Sequence, residues 1–223
     1  MSQAPVLPPF KIDTCRGNQN CSYAVLSAQE LLLSLQEILE RRLEGHNVSS
    51  HHSMLRFSLS CCPNSCSQPQ VRDFGLQGRQ KPVITDHPCI HCQACVKACP
   101  EKYVHLLDQG PHFSEHCLAC GRCIEVCPTG TLEEGKSGWS LLVGGKLGRQ
   151  PAFAIPVGHY LSHDEVIQNI LALLEPYLTA TMNEGPSSQE RFRAWLDRNS
   201  VLTKEAPPLL SPLSSHNRST EKK

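Results

Sequence analysis

Thirteen cysteines occur in this chain of 223 residues, and their spacing sorts them into three groups. "CIHCQACVKACP" carries Cys89, Cys92, Cys95 and Cys99, followed by Pro100. "CLACGRCIEVCP" repeats the pattern 28 residues later as Cys117, Cys120, Cys123 and Cys127, followed by Pro128. "CRGNQNC" holds Cys15 and Cys21, and "LSCCPNSCSQPQ" holds Cys61, Cys62 and Cys66. Closely spaced soft thiolates bind zinc or build iron–sulfur clusters, whereas a reducing compartment does not maintain disulfides. Metal ligation is therefore the leading chemistry for the chain.

The duplicated run C-x2-C-x2-C-x3-C-P resembles the bacterial ferredoxin signature, in which three cysteines bind one cubane and the fourth reaches the other. On that pattern Cys89, Cys92 and Cys95 join Cys127 on one [4Fe-4S] cluster, and Cys117, Cys120 and Cys123 join Cys99 on a second. Zinc also uses C-x2-C pairs, but it takes four ligands per ion and the duplicated third step is not its usual spacing. His91 and His116 sit beside ligands in sets that are already complete, which makes them neighbours of the clusters or surface residues.

Five cysteines remain. Two pairs, Cys15 with Cys21 and Cys62 with Cys66, have the numbers for a third cube, and a reduced cysteine cluster without metal is the plain alternative. Cys-x5-Cys followed by Cys-Pro-Asn-x-Cys resembles the sirohaem and [4Fe-4S] signature of sulfite and nitrite reductases. "VRDFGLQG", "GWSLLVGGKLGRQP" and "ERFRAWLDR" resemble that family's later segments, so the resemblance covers roughly residues 13 to 200. It implies cube ligands Cys15, Cys21, Cys62 and Cys66, with Cys66 bridging to the sirohaem iron as the catalytic residue and Asn64 lying in the cofactor-binding turn. Cys61 is left as a small apolar side chain.

The implied activity is the six-electron reduction of sulfite to sulfide, with electrons passing from the ferredoxin clusters to the bridged centre. Nitrite reduction and non-catalytic electron transfer are the alternatives. In full-length relatives the basic residues for the sirohaem carboxylates and the anion lie mainly upstream of the first cysteine pair, and only fourteen residues precede Cys15 here. Gln68 also stands where relatives often carry an arginine. A partner subunit with the upstream half, together with an electron donor protein, is the expected company.

These ligands need a scaffold, which the remaining sequence outlines as α+β: a sirohaem/[4Fe-4S] reductase half-domain with an inserted ferredoxin-like 2[4Fe-4S] domain. Residues 1–12 read as an arm, 13–81 and 135–200 as the half-domain, 82–134 as the insertion and 201–223 as a disordered tail. "MLRFSLS" at 54–60 reads as a strand running into the Pro63-Asn64 turn. Ser22 to Leu43 reads as an amphipathic helix stopped by Gly45, with the first cysteine pair at its N-terminal end. Ser162 and Glu165 form a capping box ahead of Val166, Ile167, Ile170, Leu171 and Leu174, with Pro176 near the helix end. A last helix spans about Ser188 to Arg198.

Composition narrows the setting. Lys+Arg and Asp+Glu both number 21, so net charge makes no case for nucleic acid or an anionic membrane. No apolar run has membrane-spanning length, and "MSQAPVLPPF" lacks an export pattern, so the expected location is the cytoplasm.

Overall fold

The computed structural model describes residues 7–46, 48, 50–181 and 190–201. In chain order the elements are β1 (Phe10–Thr14), α1 (Gln29–Arg42), β2 (Leu55–Ser60), β3 (Phe74–Ile84), α2 (Ala94–Ala98), β4 (Val104–Leu107), β5 (Gly110–Phe113), α3 (Arg122–Glu125), β6 (Leu132–Val143), β7 (Ile155–Leu161), α4 (His163–Thr181) and α5 (Phe192–Arg198). Short 3-10 turns lie at Arg16–Gln19 and Pro69–Val71.

Five strands make one mixed sheet in the order β1-β2-β3-β6-β7, while β4 and β5 pair separately. β1, β2 and β3 run parallel, and β6 and β7 return antiparallel. Alternation along the strands puts Leu55, Phe57, Leu59, Phe74, Leu76, Leu141 and Val143 into the core shared with α1, α4 and α5. Phe74 is its hub, stacking on Phe57 at 4.9 Å and on Phe192 at 4.7 Å between ring centroids. The polar alternates Ser58, Ser60, Gln77 and Ser140 are also buried, so the second face of the sheet is covered as well. Its cover is the cysteine-bearing loop after β2.

The structure corrects several expected boundaries. The helix expected from Ser22 begins only at Gln29, because the N–H groups of Val25 and Leu26 are held by the Cys61 carbonyl at 3.0 and 3.2 Å. The first cysteine pair is thus not at a helix N-terminus; Cys15 instead caps the 3-10 turn at Arg16–Gln19. The expected arm is in part a strand, since β1 pairs with β2 from Phe10 onward. β3 and β6 remain paired through Pro82↔Glu134 and Ile84↔Leu132, and residues 85–131 run between these paired ends. α4 runs through Pro176 to Thr181. Residues 188–189 of the expected last helix and 202–223 of the expected tail lie outside the described residues; Val201 packs partly on the core.

The capping box forms. Glu165 accepts from Ser162 N–H at 2.8 Å, and Ser162 Oγ accepts from Glu165 N–H at 3.3 Å. These bonds hold the Glu165 carboxyl below its ordinary range.

Candidate metal centres

Parallel pairing of β1 and β2 sets Thr14 opposite Leu59, so the residues after both strands emerge at one edge of the sheet. Cys15 leaves β1 there, and Cys61 and Cys62 leave β2. The N–H groups of Gly17 and Cys61 each donate to Cys15 Sγ at 3.3 Å. Burial pushes the Cys62 thiol above its ordinary pKa, and the proximity of Cys15, Cys66 and Cys21 adds to the rise. Four thiols crowded in this way would repel one another as thiolates, a strain that the cationic metal core of a cluster would relieve.

Exposure grades these four residues: Cys62 is buried, Cys15 and Cys21 are half-buried and Cys66 is exposed. Cys61 faces the core, and burial, reinforced by Cys15, pushes its thiol up to about 12. The hold on Cys66 comes from its neighbour Ser67. Ser58 Oγ donates to Ser67 O at 2.8 Å, Ser67 Oγ donates to Leu59 O at 2.9 Å, and the Ser60 and Ser67 hydroxyls bond at 2.7 Å. Asn64 donates its backbone N–H to Cys62. Gln77 Nε2 bonds Ser65 Oγ, which in turn donates to Pro63 O at 3.0 Å, bracing the turn from β3.

Between β3 and β6, one cavity is lined by Cys89, Cys92, Cys95 and Cys127, and another by Cys99, Cys117, Cys120 and Cys123. The sequence repeat is also a backbone repeat. His91 and Ala119 both have φ of 54°, and Gln93 and Gly121, at 61° and 71°, lead into α2 and α3. Left-handed residues at these places turn the loop tightly around the space that its thiols face. Backbone N–H groups point at sulfur here too: His91 to Cys89 at 3.4 Å, Tyr103 to Cys99 at 3.3 Å and Leu132 to Cys127 at 3.4 Å. Burial pushes Cys123 up to about 12, aided by Cys117 and Cys120. At Cys127 burial acts upward too, but the bonds from Leu132, Thr129 and Thr131 outweigh it and lower the thiol pKa.

The segment between β3 and β6 docks on β3. Gln80 N–H donates to Ala119 O at 2.7 Å, and Arg79 Nη1 donates to Leu118 O at 2.6 Å. Arg122 lies 4.4 Å over the Tyr23 ring. Cys62, Pro63 and Asn64 share a small cavity with Cys120, Leu118 and Arg122 across this junction. Among the described residues, no three His, Cys, Asp or Glu side chains are arranged to hold one metal ion. That arrangement does not bear on a cubane, in which each iron takes a single thiolate.

A feature missed by the sequence reading lies at the other end of β2. His51, His52, Arg56, Arg72, Lys146, Arg149, Arg191 and Arg193 line a cleft of about 680 Å³ in which Asp73 is the acidic residue. Four separate segments supply these residues, so no local motif announces the cleft. Asp73 accepts from Arg56 N–H at 2.8 Å, and burial of its carboxyl raises its pKa from 3.8 to about 7, against the pull of Arg56 and Arg191. The folded protein therefore holds a proton here that the unfolded chain releases, and this contribution to stability declines from about pH 4 to about pH 7. Asp73→Asn is expected to remove that decline. Thermal melting of both proteins across this pH range checks it, and parallel pH profiles count against it.

Residues 9–201 match the family model described as the nitrite and sulphite reductase 4Fe-4S domain. The coenzyme F420-dependent sulfite reductase of Methanocaldococcus jannaschii is 29% identical over 164 residues, which is 73% of this chain and 25% of that protein. An anaerobic sulfite reductase subunit of Salmonella typhimurium is 33% identical over 88 residues, 40% of this chain and 23% of that one. The chain thus spans a quarter or less of these curated relatives. A crystal structure of dissimilatory sulfite reductase I superposes with a TM-score of 0.59 at 19% identity, covering 95% of this chain and 56% of the other, and so shares the fold.

Proposed function

The chain belongs to the nitrite and sulphite reductase 4Fe-4S domain family, and from that premise we propose that it is the cluster-bearing part of a sulfite reductase, active only with a partner that completes the sirohaem pocket. The observation that carries the reading is the gathering of Cys15, Cys21, Cys62 and Cys66 at one sheet edge, with Cys66 alone of the four exposed. An outward thiolate on an otherwise sheltered site suits a bridge between a cube and a second group.

The donor sets fit the groups assigned to them. Cys15, Cys21, Cys62 and Cys66 would hold the coupled cube. Cys89, Cys92, Cys95 and Cys127 would hold a distal ferredoxin-type cluster, and Cys99, Cys117, Cys120 and Cys123 a proximal one. N–H groups aimed at Cys15, Cys89, Cys99 and Cys127 are the hydrogen bonds that favour reduced clusters. When bound, the clusters supply one-electron transfer, and sirohaem supplies the multi-electron reduction of a small oxyanion. Tyr23, Pro63, Asn64 and Leu118 line the small cavity that Cys120 and Cys62 share.

The chain's own cationic side chains gather around Arg56 and Arg72 rather than around Cys66, where Gln68 offers no charge. That placement supports a partner subunit as the source of the groups that neutralise the tetrapyrrole carboxylates and the anion. Sulfite is preferred to nitrite because the relative aligned over 73% of the chain is a sulfite reductase.

Anaerobic purification of the chain with its partner, followed by iron counting and absorption spectroscopy, tests the reading. About 12 irons with a sirohaem spectrum are expected. About 8 irons without tetrapyrrole would instead identify a non-catalytic electron-transfer protein.

A further inference from the structure

Arg79 is a half-buried cation whose Nε is shut off from solvent and which has no carboxylate partner among the described residues. Its Nη1 donates to Leu118 O at 2.6 Å and its Nη2 to Gln77 Oε1 at 2.7 Å, both neutral acceptors. Its Nε is buried with no hydrogen-bond partner, and among the described residues no carboxylate forms an ion pair with it. A guanidinium with its Nε shut off from water and unpartnered favours a negative group nearby. Tyr160 and the thiols of Cys117 and Cys120 lie within its electrostatic reach. Burial and Arg79 itself hold neighbouring His159 below its ordinary pKa, which leaves Arg79 as the fixed charge of the region. The other cation near this junction, Arg122, is paired with Glu125 at 3.5 Å.

The same side chain is also a structural link. From Leu118 O, hydrogen bonds run through Arg79 to Gln77, from Gln77 to Ser65, and from Ser65 to Pro63 O. The chain of bonds therefore joins the loop of Cys117 and Cys120 to the turn between Cys62 and Cys66.

We propose that Arg79 sets the reduction potential of the proximal cluster, the one held by Cys99, Cys117, Cys120 and Cys123, above that of the distal one, and so directs electrons toward Cys62. The proposal rests on the cluster assignment made above. A thiolate-ligated cube is anionic and gains one further negative charge on reduction, with the electron coming from a one-electron donor at lower potential. A fixed positive charge partly shielded from water stabilises that reduced state more than the oxidised one. The guanidinium stays protonated throughout, so reduction of the cluster takes up no proton at this residue. Nε–H is the donor left for a cluster sulfur, and charge-assisted bonds of this kind are the stronger ones. No arginine lines the distal cavity, whereas Arg79 is tied to the proximal loop through Leu118 O, between Cys117 and Cys120.

The test is a mediator-equilibrated electrochemical titration of the cluster-loaded full chain, read by electron paramagnetic resonance. The proximal signal is identified as the one altered in Cys123→Ser. In Arg79→Gln the proximal cluster is expected to become at least tenfold harder to reduce, a shift of ~59 mV to more negative potential for one electron, while the distal signal stays in place. Arg79→Lys, which keeps the charge, is expected to recover most of the shift. Should the glutamine variant lose iron, the lysine variant decides: an unshifted proximal potential supports the charge role, and a shift as large as tenfold overturns it. Equal movement of both signals, or of neither, with iron intact also overturns it. Wild-type protein without cubane signals overturns the cluster assignment itself and this proposal with it.

Discussion

Cys66→Ser is expected to lower the reductase activity of the assembled enzyme by roughly 100-fold or more, since even the outer partners of metal ligands are worth up to about that factor. Serine is a harder and far less acidic donor than a thiol, so it serves poorly both as an iron ligand and as a bridge. The loss should be selective. Cys66 is exposed and stands apart from the two cysteine cavities between β3 and β6, so about 8 irons should remain when the coupled centre is disturbed. Iron counting and the tetrapyrrole absorption of wild type and variant check this. Disappearance of every cluster at once would show that the three sites do not divide as assigned. Cys61→Ala is the informative companion, because Cys61 N–H touches Cys15 Sγ at 3.3 Å while its own side chain packs in the core. It should retain all the iron; if it loses the coupled cluster and Cys62→Ala does not, the two adjacent cysteines have been assigned the wrong way round.

The second large effect is expected from Gly75→Ala, far from any thiol. A Cβ at Gly75 would collide with the backbone carbonyl of Pro69, whose carbonyl carbon and Cβ also lie within 2.8 Å of that position. Pro69 is stiff and buried, and it follows Cys66 by three residues, so the loop cannot yield locally. Lifting it would pull Ser67 from Ser58 and Ser60 and release Cys66. Overpacking of this kind costs about 1–3 kcal/mol, seen as a fall of several degrees in Tm for a chain of this size. The added expectation is a loss of coupled-cluster iron beyond what the lower stability explains. Gly45→Ala supplies the contrast: among the described residues nothing lies within 4 Å of its Cβ position, and its φ of +78° is the strain. It should cost about 1–2 kcal/mol and leave the iron content untouched. Similar iron loss in both variants would remove the special role given to the Pro69 contact.

Short-range features were legible in the sequence because short-range physics fixes them. The Ser162–Glu165 box closes within one helical turn. The strand at Leu55–Ser60 follows from residues alternating in a single run. The two C-x2-C-x2-C runs curl through the same left-handed positions, which belong to the loop itself. The start of α1 was misread because its apolar spacing continues back to Val25, while the Cys61 carbonyl, from a distant strand, claims the N–H groups of Val25 and Leu26.

By itself, then, the sequence sorted the cysteines into groups by their spacing, and it pointed to a family through Cys-Pro-Asn-x-Cys. Only the tertiary structure decided how these sets stand to one another. Parallel pairing of β1 with β2 carries Cys15 to Cys62, and β3 presents Gln77 and Arg79 between the turn at Pro63 and the loop at Leu118. The basic cleft likewise draws on residues from His51 to Arg193. Contacts between such distant positions depend on strand order and register, which are set by the burial of the whole core and by no local pattern.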